Sequence, residues 1–591
     1  MKKTIRIFIA AMLIACVMPF TYTSANADWF PDDTTATETT PASGLYNPPI
    51  SIAEVTSDDT LESFKNDDLP VQAILSLDEN GKVVGENGEE ICDLSVALDE
   101  YLQKKILPVF RVTETSADAF LTWMKTDRRI TDASVTSSSP EAVKKIKSVY
   151  PFLRGIIEFD ENADVKRAAY IANAAFAQIC VLPESTATYD NVRYIQARFK
   201  TVWVKTDEDD SFSIKNCIAS GCFGVISENY PLVNSVLGEY PEGRISRTPY
   251  DVANRGLPES YNENSVSGTI AAIKAGATHL ELDCYLTLDN EIAFMHDAGL
   301  ARTSTGSGNI EDYTSAQLEN FRLNQFSDEK IPLIEDIAQA LQGSDVVLVL
   351  EVKTKKTAVA EVLAEKLNGK DLADLKTHLT IISFDRNQLA KIKEVLPEIP
   401  TADLGGSSSD DLTTILTRSG EYNCAVDYNY GAIDKTKYNR LIARGFIPWT
   451  WTYGGEVTVI TGLETGNPAM TNNNADALTS IPQKAEVMPT QSSKPEVGKN
   501  VKLKVTEYSG KQKTVNGRAT DVKDLGNGKY LVLADYEPTE YYLSAVYHTQ
   551  SAVVTVASKN KGCSSSVGLY PLALIALFTT LLFASERKFI K

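Results

Sequence analysis

Glu281 and Asp283 stand two residues apart in "HLELDCYL" (279–286), a run whose pattern predicts a strand. Alternate residues of a strand face the same way, so these two carboxylates share one side. The next short run, "EIAFMHD", delivers His296 beside them in a chain with only four histidines. A third acid, Glu351, lies in "VLVLEVK" with Lys353 two residues on, and Arg255 lies in "ANRG" at the end of another predicted strand. Three carboxylates gathered at one place repel unless a cation neutralises them, and hard oxygen ligands select Mg²⁺ or Ca²⁺. An acidic cage flanked by Arg and Lys has the composition of a phosphate-ester site, with His296 placed for acid–base chemistry.

Such a gathering requires a fold that converges strand ends. From Ile50 the runs "ISIAEV", "QAILSLD", "ILPVFRV", "DASVTSS", "GIIEFD", "ICVLPES", "TVWVKT" and "FGVISE" each precede a helix-like segment. Eight such units predict a (β/α)₈ barrel, whose strand carboxyl ends meet at one mouth. A second set follows: "YDVANRG", "HLELDCYL", "VVLVLEVK", "LTIISFD", "PTADLG", "NCAVDYN", "FIPWTWT" and "PAMTNN". The sets match each other, residues 137–151 aligning with 383–397 without a gap. The fold class expected is therefore α/β: two tandem TIM-type barrels produced by duplication. Aligned on "LSLD" and "LTLD", the first copy carries Pro70 for Glu281, Gln72 for Asp283 and Arg111 for Glu351. It keeps the scaffold and lacks the cage.

The remainder reads as accessory. A basic start and an apolar run to Ala27 predict a signal peptide, with a lipoprotein-type Cys16 as the rival. The alternating strands of residues 499–557 predict a small all-β module. Val567 to Ala584 is apolar and followed by Arg587, Lys588 and Lys591, which predicts a transmembrane helix near the roughly 20-residue span length. The division expected is signal peptide 1–27, linker 28–48, cage-free barrel 49–243, second barrel 244–484, linker 485–498, β module 499–557 and membrane helix 567–584. That layout implies an exported protein held at the cell surface by its tail. Net charge of −20 and a pI near 4.9 argue against nucleic acid as partner. Eight cysteines include Cys16 and Cys563, and their spacing assigns neither a metal site nor a disulfide pairing.

The segments "ANRG", "NENS", "GATHLELDCYLTLD", "MHD", "ARTSTGSGNIEDYT", "IPLIEDI" and "LEVK" together resemble the glycerophosphodiester phosphodiesterase family, from about 249 to 480. The resemblance implies a phospholipase C-like TIM barrel, a divalent metal, and hydrolysis of glycerophosphodiesters to glycerol phosphate and an alcohol; from a membrane tether, lipid headgroups and wall polyol-phosphates are both within reach. It implies Glu281, Asp283 and Glu351 as metal ligands, Arg255 and Lys353 on the phosphate, Glu263 as a supporting acid and His296 as a catalytic histidine. One position departs: the family opens His-Arg-Gly, and this chain has Asn254-Arg255-Gly256. Asn cannot shuttle a proton at neutral pH. The expectation is an extracellular phosphodiesterase; the alternative is a surface-anchored metal and phosphodiester binder that has lost turnover.

Overall fold

The computed structural model describes residues 42–557, apart from 104, 128, 129, 131, 371, 406–409 and 540–542. Two closed parallel barrels of eight strands make up most of it. The first uses Ile50–Glu54, Gln72–Leu77, Leu107–Arg111, Ser134–Ser137, Arg154–Glu158, Ala177–Pro183, Thr201–Lys205 and Gly224–Ser227. It closes because Ile50–Glu54 pairs with both Gln72–Leu77 and Gly224–Ser227. The second uses Tyr250–Asn254, His279–Leu286, Val347–Val352, Leu379–Ser383, Thr401–Asp403, Ala425–Asn429, Trp449–Tyr453 and Ala469–Asn472, closed by the same double pairing of its first strand. Strands walled by helices outside and by side chains inside are buried on both faces, so they read as short apolar runs. All eight residues of His279–Leu286 are buried.

Helices matched by the duplication begin with related caps. Ser139 accepts from the Ala142 amide ahead of Pro140–Val149, and Asp385 accepts from the Asn387 amide ahead of Arg386–Val395. Each helix also buries one lysine at its far end. Lys147 Nζ donates to the Leu153 carbonyl at 2.5 Å, and Lys393 Nζ to Asn173 Oδ1 at 2.8 Å.

The barrels stack base to base. His279 opens its strand and its Nε2 lies 2.9 Å from the Ala197 carbonyl of the first barrel, just upstream of Thr201–Lys205. Thr201 Oγ1 donates to the Gly445 carbonyl at 2.6 Å and Gln72 Nε2 to that of Ala443 at 2.5 Å, all at amino ends of strands. Phe199 meets Trp449 edge-on at 4.5 Å, within one apolar cluster drawn from both barrel floors. Arg444 closes the seam with an ion pair to Asp132 at 2.7 Å. The two mouths consequently open at opposite ends.

A third sheet lies alongside. Pro482–Val487, Asn500–Glu507, Gln512–Gly526, Lys529–Tyr536 and Val546–Val556 form an antiparallel meander, and the short strands Arg244–Ile245 and Thr490–Gln491 pair with Val546–Val556. The sheet thus draws on the connector between the barrels and on residues expected to be linker. Isolated two-residue strands carry no periodicity, so neither was legible beforehand. At Gly276, the left-handed cap of Val266–Ala275 (φ 98°), a Cβ would stand 2.2 Å from the Tyr508 carbonyl oxygen of this sheet, which demands glycine.

The expected membrane helix is corrected. Among the described residues no helix is long and apolar enough to cross a membrane. The longest α-helices, Ser116–Thr126 and Leu412–Tyr422, have 11 residues each, about half a span. The membrane, secreted and cell-surface readings built on that anchor therefore lose their support. The segments at 1–27 and 567–584, with Cys16 and Cys563, lie outside the described residues. All six described cysteines are free thiols.

Candidate active site

The second barrel's mouth is built by register. Asn254 pairs with Glu281, and Asp283 pairs with Glu351, on three neighbouring strands. Leu280, Leu282, Cys284, Leu348, Leu350 and Val352 face the helices, so the residues between them face the lumen. That alternation places Glu281, Asp283 and Glu351 inside, each buried, with carboxylate oxygens within 4.8 Å of one another.

Burial and mutual repulsion raise two of the three carboxyls. Burial, then Asp283 and Glu351, pushes the Glu281 carboxyl well above its usual range. Burial and then Asp283 move Glu351 up to about 8. Asp283 goes the other way: burial opposes ionisation, but Lys353, His296 and Arg255 outweigh it. Lys353 Nζ sits 3.0 Å from Asp283 and 3.3 Å from Glu351. Three hard oxygen donors, two of which ionise reluctantly alone, fit a divalent cation.

The flanking loops supply the rest. Arg255 has a positive φ of 52°, rare for a side-chain-bearing residue, and its backbone N–H donates to the Glu281 carbonyl at 2.8 Å. Its side chain reaches Glu263 at 3.2 Å and Asp283 at 3.5 Å. Asn264, also left-handed at φ 56°, grips Asp283 twice: Nδ2 donates to the carboxylate and Oδ1 accepts from the Asp283 amide, both at 2.9 Å. His296 follows Met295, whose amide donates to the Asp283 carbonyl at 3.0 Å, and His296 Nδ1 lies 2.6 Å from Asp297 Oδ1. Arg302 joins Asp297 to Glu263, and it is the main reason that the Asp297 carboxyl falls to about 2. Asn254 Nδ2 donates to Asn473 Oδ1 at 2.7 Å.

All eight residues singled out in the sequence therefore meet at one mouth: Asn254, Arg255, Glu263, Glu281, Asp283, His296, Glu351 and Lys353. The sequence reading gave no role to Asn264, Asp297, Arg302 or Asn473. Asn264, Asp297 and Arg302 lay inside quoted motifs, but no spacing marks that an arginine of a long excursion folds back onto Glu263 and Asp297. The other histidines serve structure. His279 is in the floor, edge-on to Trp449 and Tyr250. His378 sits half-buried ahead of Leu379–Ser383, and His548 is buried against Asp535 in the third sheet.

The first barrel answers differently, and its register corrects the alignment of the copies. Ile52 pairs with Gln72 as Val252 pairs with His279, so Ile74 occupies the place of Glu281 and Ser76 that of Asp283. Pro70 and Gln72 were mis-set by four residues: the strand before the hairpin runs eight residues in the second copy and six in the first, and the LSLD/LTLD match is itself two residues out of step with the hairpins. Arg111 does replace Glu351, being paired to Ser76, and Glu54 replaces Asn254. The Arg111 guanidinium reaches Glu54 at 2.6 Å and Glu158 at 2.9 Å, and Lys205 reaches Glu54 at 2.7 Å. A fixed organic cation fills this mouth.

Three buried carboxylates with Arg255 and Lys353 beside them, at the carboxyl end of a TIM barrel, make this mouth the candidate active site of a hydrolase-type domain. Residues 255–477 match the sequence model of the Glycerophosphoryl diester phosphodiesterase family. Glycerophosphodiester phosphodiesterase of Bacillus subtilis (strain 168) is 23% identical over 247 residues, 38% of this chain and 83% of that protein. Glycerophosphodiester phosphodiesterase 1 of Homo sapiens is 30% identical over 169 residues, 27% of this chain and 49% of that protein, so only about half of the human relative is spanned. Among solved structures, an Oleispira antarctica phosphodiesterase in complex with sn-glycerol-3-phosphate is 21% identical with a TM-score of 0.35, covering 39% of this chain and 94% of that one.

Proposed function

We propose that the second barrel hydrolyses glycerophosphodiesters to glycerol phosphate and an alcohol, the activity for which the aligned relatives are named. The observation that carries this reading is the convergence of three buried carboxylates with Arg255 and Lys353. Glu281, Asp283 and Glu351 would hold Mg²⁺ or Ca²⁺, which would supply Lewis-acid polarisation of a phosphoryl oxygen. Arg255 and Lys353 grip the phosphoryl oxygens, and Glu263 with Arg302 holds Arg255 in place. His296, fixed through Nδ1 by Asp297, carries the proton for the leaving alkoxide. Water adds its hydroxyl to phosphorus, the bond from phosphorus to the alkoxide breaks, and the proton ends on the alcohol oxygen. Asn254 orients and cannot exchange protons, so turnover is expected about 10²–10⁴-fold below that of a site with two acid–base groups.

Release of glycerol phosphate in the presence of Mg²⁺ or Ca²⁺, with Glu281→Ala as control, tests the reading. Equal release by wild type and control would remove it. One contact favours a second reading: the Asn254 amide is satisfied by another amide, Asn473, and has no proton to give up. In that reading the mouth binds cation and diester without turnover. Cation uptake with no hydrolysis in wild type, and hydrolysis on Asn254→His, would establish it.

A further inference from the structure

Charge is unevenly placed along this chain. Its net charge is −20, yet residues 499–518 hold six cations, Lys499, Lys502, Lys504, Lys511, Lys513 and Arg518, against one acid, Glu507. They build the hairpin of Asn500–Glu507 with Gln512–Gly526 in the third sheet, outside the 255–477 span of the family match. Glu507 is buried and its cation is Lys513 at 3.5 Å.

Register sets the pattern on the hairpin's outer face. Val501, Leu503 and Val505 point into the core of the sheet, so Asn500, Lys502, Lys504 and Thr506 point outward. Asn500 pairs with Arg518, Lys502 with Asn516 and Lys504 with Thr514, so each cation stands opposite an amide or a hydroxyl and none opposite another cation. Lys502 lies diagonal to Arg518 and two residues from Lys504, steps of about 7 Å each. Lys504 meets Glu486 at 2.9 Å, while Lys499, Lys502 and Arg518 are exposed and have no ion pair or side-chain hydrogen bond among the described residues. The far half of the same strand is neutralised instead: past the irregularity at Ala519/Asp521, Lys523 reaches Glu208 at 2.7 Å and Asp210 at 3.2 Å on the first barrel.

Unpaired cations at a regular spacing, with hydrogen-bonding groups between them, complement an anionic chain whose charges are also spaced. Six bonds separate phosphorus atoms joined through a three-carbon polyol, about 7 Å when extended. Hydroxyls along that spacer suit Asn500, Thr514 and Asn516. Single-stranded nucleic acid fits worse, because it binds on exposed aromatic platforms and the one aromatic residue of this hairpin, Tyr508, is buried. An anionic lipid surface fits worse too, since it would meet a chain of net −20 over a broad front.

We infer that this hairpin is a docking surface for a linear polymer of phosphodiester-linked polyols, held by Lys502, Lys504 and Arg518 with Lys499 at the edge. No bond is made or broken there. The surface is separate from the second mouth and goes beyond the hydrolysis proposed for it.

The test is calorimetric binding of synthetic poly(glycerol phosphate) to the full chain carrying Glu281→Ala, which keeps the second mouth from cutting the ligand. In that background Lys502→Gln/Arg518→Gln should weaken binding about tenfold, with an unchanged melting temperature. Lys125→Gln/Lys370→Gln removes the same charge from exposed sites on the barrels and should leave the affinity unchanged. Added salt should weaken binding to the parent and do so less in the Lys502/Arg518 variant. Full affinity in that variant, or an equal loss in the barrel control, would overturn the inference. So would equal affinity for polyglutamate, a DNA strand or phosphatidylglycerol vesicles. Hydrolysis of small diesters is assayed separately in wild type, and its failure would leave these binding results standing.

Discussion

Asn254 donates from Nδ2 to Asn473 Oδ1 at 2.7 Å, across the seam where the first and eighth strands close the second barrel. Asn473 accepts from the Asn254 amide group, and no titrating group stands where the family's motif places one. A histidine at 254 would keep Asn473 as partner for one ring nitrogen and present the other to the mouth. Asn254→His is expected to raise kcat by about 10²-fold or more. The pH–rate profile should gain a limb near the ordinary histidine pKa of about 6.5.

Removing a cage carboxylate tests cation holding without reference to turnover. Even partners that touch a ligand only indirectly change metal affinity about 10–100-fold, so Glu281→Ala and Glu351→Gln should each weaken Mg²⁺ or Ca²⁺ binding by more than about 100-fold in calorimetry. Hydrolysis should fall in step.

Arg111 makes the opposite prediction for the first barrel. Its guanidinium, mostly buried, is the counter-charge of Glu54 and Glu158. Arg111→Ala leaves Glu158 without its cation and Glu54 with Lys205 alone, and is expected to destabilise the protein by about 3 kcal/mol in urea unfolding, as breaking a buried pair does. Activity at the other mouth, read as kcat at a temperature where the variant is folded, should not change.

Asp427 provides a pH signature. Burial, then the nearby Asp403, raises its carboxyl to about 8, and its Oδ1 has no hydrogen-bond partner. The folded pKa exceeds the unfolded value near 4, so the native state binds the extra proton. The stabilisation is full below about pH 4 and is lost as pH rises through 8. Asp427→Asn should be more stable than wild type at pH 8 by about 1 kcal/mol or more, and the difference should vanish toward pH 4. Thermal midpoints across that range check it.

Sixteen barrel strands were readable because each is buried on both faces and flanked by an amphipathic helix. The cage was readable because "LELD" and "LEVK" each place acids at strand ends, and the barrel brings strand ends together. Register between the copies was not: similarity at the hairpin is out of step with the barrel, which moved Pro70 and Gln72 onto positions that belong to Ile74 and Ser76. Nor was the Glu263–Arg302–Asp297 chain, since a residue on a long excursion is placed by tertiary packing that local pattern does not encode. Arg244–Ile245 joined a distant sheet for the same reason.

The floor-to-floor junction gives the cage-free copy a task of its own. Phe199, Trp203 and Ile179 lie against Trp449 and Ile447 in a single apolar stack, so excising the first half would expose the underside of the working one to water. The first copy is thus a foundation for its twin, and a duplicate stripped of chemistry still has a reason to be kept whole.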